Sequence, residues 1–183
     1  MQRSCFAPAV WGLTLALAAL LAPVSHAADV KLTGDNTKIK FVGSKPDGKH
    51  EGGFKKLSGE FAADDDVTRS KLSVTIDVDS LFTDNEKLTG HLKSPDFFDV
   101  KRFPTAKFVS TGIKSDKDGY VVTGDLTLHG KTKSLSFPAK ISAKGSAVSL
   151  SSKFELNRSD WDITYGKGMI DEAVQLTIDV QAK

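Results

Sequence analysis

From residue 38 onward, apolar and polar positions alternate with a period of two, the signature of strands with one buried face. Residues 38–42 set Ile39 and Phe41 against lysines. Residues 54–61 carry Phe54, Leu57, Gly59 and Phe61; the alternation breaks once, which predicts a bulge near Lys55 and Lys56. Residues 72–78 place Leu72, Val74, Ile76 and Val78 on one face. Further strands are predicted over 108–113, 120–128, 135–141, 148–156 and 173–180. Turn chemistry separates them: Lys45-Pro46-Asp47-Gly48, residues 115–119, His129-Gly130-Lys131 and Gly145. The pattern gives about eight strands with connections mostly short enough for antiparallel neighbours. Eight such strands can close on themselves, which removes open edges and leaves room for one small ligand. The expected fold is therefore an all-β, eight-stranded antiparallel barrel. A two-sheet sandwich is the structural alternative.

One stretch departs from the alternation. Residues 91–108, HLKSPDFFDVKRFPTAKF, hold four of the eleven phenylalanines and two of the six prolines. Prolines 95 and 104 interrupt any regular element. Just before it, Thr83 with Glu86 three residues on predicts a capped helix of one or two turns over about 84–92, ended before Pro95. A long aromatic connection inside an all-β chain is a candidate functional segment. Phe97 and Phe98 are the residues expected to line or lid a site.

The N-terminus has its own composition. A basic start with Arg3, an apolar run over 11–22, Pro23 and the small-residue exit Ser25-His26-Ala27 predict a signal peptide over residues 1–27. The apolar run is too short for a spanning helix. Cleavage after Ala27 leaves a single domain over 28–183 and removes Cys5, the sole cysteine, so disulfide and thiol chemistry are not expected. Cys5 precedes the apolar run, unlike a lipid-modified cysteine. The predicted location is the periplasm. The formal net charge is +2, with signs interleaved. No basic patch suggests nucleic acid, and no polybasic segment suggests a membrane anchor.

Catalytic motifs are not found. His50, His91 and His129 lie in different connections, with no local spacing of metal ligands. Asp96 and Asp99 could pair as acid and base, but they flank Phe97-Phe98 among Lys93, Lys101 and Arg102, the setting of a solvated turn. There is no Gly-x-Ser-x-Gly elbow and no phosphate-binding glycine loop. An enzyme is not expected, and neither is a cofactor. A lipid-like substrate acted on through His91 or His129 is the minor alternative. Small inward residues such as Gly59, Gly124, Ala139 and Ser152 could leave a cavity, or could let large neighbours fill the barrel.

Four motifs occur together and in one order. They are the first strand pair with Gly53-Phe54 and Gly59; residues 91–100 with Phe103-Pro104 and Phe108; residues 124–133, GDLTLHGKTK; and Asn157-Arg158-Ser159-Asp160-Trp161. Together they resemble the YceI-like family of exported polyisoprenoid-binding proteins. The resemblance implies a lipocalin-like eight-stranded barrel with a short helical crossing segment and an apolar channel. It implies a long isoprenoid or acyl lipid as partner, an isoprenoid quinone among the possibilities, and no stable membrane insertion. Monomer and homodimer both stay open. On the strands, Phe41, Phe54, Phe61, Phe108, Leu126 and Phe154 are the candidate ligand-binding residues. In the connections they are Leu81, Phe82, Leu92, Phe97, Phe98 and Trp161. The function expected is an exported carrier or scavenger of such a chain. The rival is a solidly packed periplasmic interaction module with no ligand cavity.

Overall fold

Alternation of branched and aromatic residues with lysine, serine and aspartate builds one continuous antiparallel sheet. The computed structural model describes residues 26–183; the predicted signal segment lies almost entirely outside them. The strands are β1 (His26–Thr33), β2 (Thr37–Lys45), β3 (Gly48–Phe54), β4 (Leu57–Asp64), β5 (Lys71–Asp77) and β6 (Leu81–Thr83). After helix α1 (Glu86–Lys93) come β7 (Thr105–Asp116), β8 (Gly119–Leu128), β9 (Lys131–Lys144), β10 (Ala147–Asn157) and β11 (Ala173–Ala182). Their order in the sheet is β1-β4-β5-β7-β8-β9-β10-β11-β2-β3-β6. β1 leads directly into β2, which lies far along that order, so the sheet must curl back on itself. The Gln181 amide donates to the Asn36 carbonyl at 2.8 Å where the two regions meet.

The architecture is the expected lipocalin-like barrel, but it has eleven strands and not eight. All eight predicted strands are present. The added ones are β1, β3 and the three-residue β6. The predicted bulge at Lys55 and Lys56 is a corner: β3 ends at Phe54 and pairs with β2 and β6, while β4 starts at Leu57 and pairs with β1 and β5. The Lys55 amide donates to the Ser80 carbonyl at 3.2 Å, and the Lys56 amide to Ser80 Oγ at 2.9 Å. The helix begins two residues later than predicted. Asn85, not Thr83, caps it, its Oδ1 accepting from the Leu88 amide at 3.1 Å. Thr83 instead braces the start, its hydroxyl donating to the Asn85 carbonyl at 2.7 Å.

One end of the barrel is packed solid. There Val30 of β1, Phe61 of β4 and Leu72 of β5 are register neighbours, as are Ile113, Val122 and Phe137 of β7, β8 and β9. Leu150 and Val180 pair across β10 and β11. All are buried in one cluster. Val30, Phe61, Ile113 and Val122 lie away from the apolar cavity above this end, and Leu72, Phe137, Leu150 and Val180 form the boundary with it. Toward the other end β9 and β10 part. Their pairing runs only from Ala147–Lys144 to Ser151–Lys140. Just beyond it sits Pro138, whose carbonyl accepts from Ser152 Oγ at 2.5 Å, so its backbone faces β10. Proline has no amide hydrogen to offer there, and the ladder stops.

Candidate functional site

Above the packed end the barrel encloses an apolar cavity of about 400 Å³. That lies within the usual range of small-molecule sites, roughly 300–1,000 Å³. Its floor is aromatic: Phe137 and Phe154 stack at 4.8 Å, and Phe108 leans on Phe137 at 5.5 Å. Two glycines make room for wall phenylalanines. Phe41 faces Gly52 across β2 and β3, and its ring occupies the space that a Cβ of Gly52 would take. The Phe108 ring lies in the same way against Gly124 of β8, Cζ 2.5 Å from the Cβ position. Ile39, Leu135, Leu176 and Ile178 complete the strand walls.

Two connections cover the other end. The first is α1 with the crossing segment that follows. Leu88 and Leu92 of α1 face the cavity. The segment then folds on itself: the Phe98 amide donates to the Leu92 carbonyl at 3.0 Å, and the Asp99 amide to the Ser94 carbonyl at 2.9 Å. Asp99 adopts φ 43°, a left-handed position that aspartate tolerates better than most residues. Phe97 is buried, and Phe98 meets Phe54 edge-on at 6.2 Å. The end of the segment is held by a close approach. Gly130, at φ 75°, lies so near the Phe103 ring that a Cβ would sit 2.5 Å from it. The second connection, between β10 and β11, brings in Ile163, Tyr165 and Ile170. Tyr165 contacts His91 at 4.9 Å and Phe97 at 5.0 Å, so the connections meet ring to ring. Arg158 anchors this second connection by donating to three of its carbonyls: Ile163 at 2.8 Å, Ile170 at 3.2 Å and Asp171 at 3.0 Å.

Of the candidate ligand-binding residues, Phe41, Phe54, Leu92, Phe97, Phe98, Phe108, Leu126 and Phe154 border the cavity. The other four do not. Phe61 belongs to the packed end. Leu81 is buried beside Phe54 in the β3–β6 pair. Phe82 is 37% exposed, with the Lys55 ammonium 5.5 Å over its ring. Trp161 is buried and donates from Nε1 to the Leu126 carbonyl of β8 at 3.1 Å. Phe137 and Ile178 were legible as inward positions. Arg158, Ile163 and Ile170 lie in a connection with no periodicity and gave no such signal.

The histidines stay apart. His50 Nδ1 lies 2.9 Å from Asp84 Oδ1, and His91 Nε2 lies 3.0 Å from Asp96 Oδ2. His129 Nδ1 donates to the Trp161 carbonyl at 3.0 Å. Among the described residues no three potential metal ligands converge. The Glu51 amide, followed by His50, holds the Asp84 carboxyl below the usual aspartate range. Stability from that carboxylate is complete above the unfolded value near 3.9. It is lost as pH falls through the depressed folded value. Asp84→Asn should therefore flatten part of the acid limb of the stability curve, read by urea denaturation between about pH 6 and pH 3. Identical limbs in the two proteins would remove this role.

A curled antiparallel barrel, packed at one end and covered at the other around an apolar cavity, defines a lipocalin-like protein. Residues 31–182 match the YceI-like domain, and the chain belongs to that family. A UPF0312 protein of Pseudomonas putida is 37% identical over 138 residues, covering 71% of each chain. The crystal structure of Burkholderia cenocepacia BcnA superposes with a TM-score of 0.73 at 27% identity, covering 80% of this chain and 96% of that one. A polyisoprenoid binding domain from Saccharophagus degradans, implicated in plant cell wall breakdown, shares the fold with a TM-score of 0.67 at 15% identity. That match covers 87% of this chain and 99% of the other.

Proposed function

We propose that the protein is an exported, periplasmic carrier or scavenger that holds the long apolar chain of an isoprenoid or fatty-acyl lipid inside its barrel. The observation that carries this reading is the cavity, with hydrocarbon side chains over most of its wall and an aromatic floor. Its kinship with a fold that includes a polyisoprenoid binding domain supports the same class of ligand. The energetics are sufficient without any reactive group. Each buried methylene contributes roughly 0.8 kcal/mol. Ten give about 8 kcal/mol gross, which corresponds to a dissociation constant near ~1 μM before ordering costs. An isoprenoid quinone tail satisfies the same requirement. Export follows from the reading of residues 1–27. Among the described residues no helix is long and apolar enough to cross a membrane.

Protein purified from its native compartment without detergent should release a long-chain lipid on solvent extraction, identified by mass spectrometry. Reproducibly empty protein that also fails to take up prenyl quinones and long-chain amides would overturn the reading.

A further inference from the structure

Most of the cavity wall is hydrocarbon, but Lys45, His50, Arg158 and Asp171 reach it beside the two covering connections. The first two have acidic partners. Lys45 lies 3.4 Å from Asp47, and His50 lies 2.9 Å from Asp84. Arg158 differs. It is 6% exposed, and all three hydrogen bonds of its guanidinium go to backbone carbonyls. No ion pair involves it among the described residues. Asp171 contributes through its carbonyl, and its residue is exposed. The Glu172 carbonyl accepts from the Arg158 amide at 2.9 Å, but its carboxylate acts on the guanidinium only through its field, and burial outweighs that field, drawing the guanidinium pKa down.

A guanidinium offers five N–H donors. The three carbonyls take three, which leaves two for another acceptor. The carbonyls carry only partial negative charge, so the buried cation keeps no carboxylate as counter-charge. An oxyanion placed against it would form charge-assisted hydrogen bonds in a medium that screens them weakly.

We infer that the cavity takes a single-tailed amphiphile with an anionic oxygen head, carboxylate or phosphate, seated against Arg158 while its tail runs toward Phe137 and Phe154. This deepens the carrier reading and rests on it.

The test compares ligands of one chain length on the full mature chain: palmitate, hexadecyl phosphate, hexadecanol and palmitamide, each by displacement of a fluorescent lipid probe. At least one anionic ligand should bind at least about tenfold tighter than both neutral ones, about 1.4 kcal/mol. The ratio of palmitate to hexadecyl phosphate then tells which head is preferred. Arg158→Met should erase the anionic preference, read as the ratio of anionic to hexadecanol affinity within that variant, whatever the change in affinity common to all four ligands. Arg158→Lys should keep part of it, since charge remains and the fork is lost. A thermal melt shows whether the variants fold; if they do not, the wild-type ratio decides. Four ligands binding alike to wild type overturn the inference and leave the carrier reading standing. An anionic preference that survives in folded Arg158→Met overturns the assignment to Arg158. Binding of none overturns the carrier reading, and this inference with it.

Discussion

Phe61→Ala should destabilise the protein by about 3–5 kcal/mol, the usual cost of emptying a phenylalanine site in a close-packed core. Phe61 is 1% exposed and sits on β4 between Val30 of β1 and Leu72 of β5. Its ring belongs to the packed end, so its removal leaves a void walled on every side. Phe41→Ala should cost distinctly less. Phe41 is only partly buried, and its ring already borders open space. For ligand affinity the order should reverse, with Phe41→Ala weakening binding and Phe61→Ala sparing it at temperatures where both variants are folded. Urea denaturation measures the first ordering and lipid-probe titration the second. If Phe41→Ala is the more destabilising of the two, the division into a packed end and a cavity end is wrong.

Ala106→Phe should remove the bound lipid with little loss of stability. Ala106 is buried on β7, pairs with Ile76 of β5 and borders the cavity. A benzyl group there would enter the cavity, the space that the carrier reading gives to a lipid. In a barrel filled by its own side chains the same change would overpack the core, at about 1–3 kcal/mol. For a domain of this size each kcal/mol lowers Tm by roughly 2–4 °C. The two outcomes separate cleanly. A Tm near wild type with lipid content down about tenfold supports an open barrel. A fall in Tm beyond about 5 °C with lipid retained supports the solidly packed module.

Alternation revealed which face points inward for most of the predicted strands; in 108–113 a bulge between Ser110 and Gly112 switches the inward parity from Phe108 to Ile113. Alternation did not reveal the level along the barrel axis. Phe61 and Phe41 have the same inward character in sequence, yet one lies in the packed end and the other on the cavity. That difference depends on register with other strands, which no local window contains. The three added strands were hidden for local reasons. β1 begins inside the expected export segment, β3 reads GKHEGGF without alternation, and β6 has three residues. The corner after Phe54 resembled a bulge because both interrupt the period by one step. The crossing segment was legible from its prolines and phenylalanines, and Phe97 and Phe98 border the cavity. Phe82 and Trp161 show the limit of aromatic content as a guide. Phe82 lies 37% exposed under Lys55, and Trp161 is buried against the Leu126 backbone. Arg158 was legible only as part of the Asn157–Trp161 motif; its burial beside the cavity was not, because an arginine in a polar connection has the statistics of a surface charge.

The parting of β9 and β10 at Pro138 gives the barrel a seam. Past Ser151 and Lys140 the two strands share no ladder hydrogen bonds, though each stays fully zipped to its other neighbour. What spans the seam is looser: the Phe137–Phe154 stack and the Lys133–Asp160 ion pair. The girth of the barrel is therefore set there by side-chain contacts and not by rungs of the sheet.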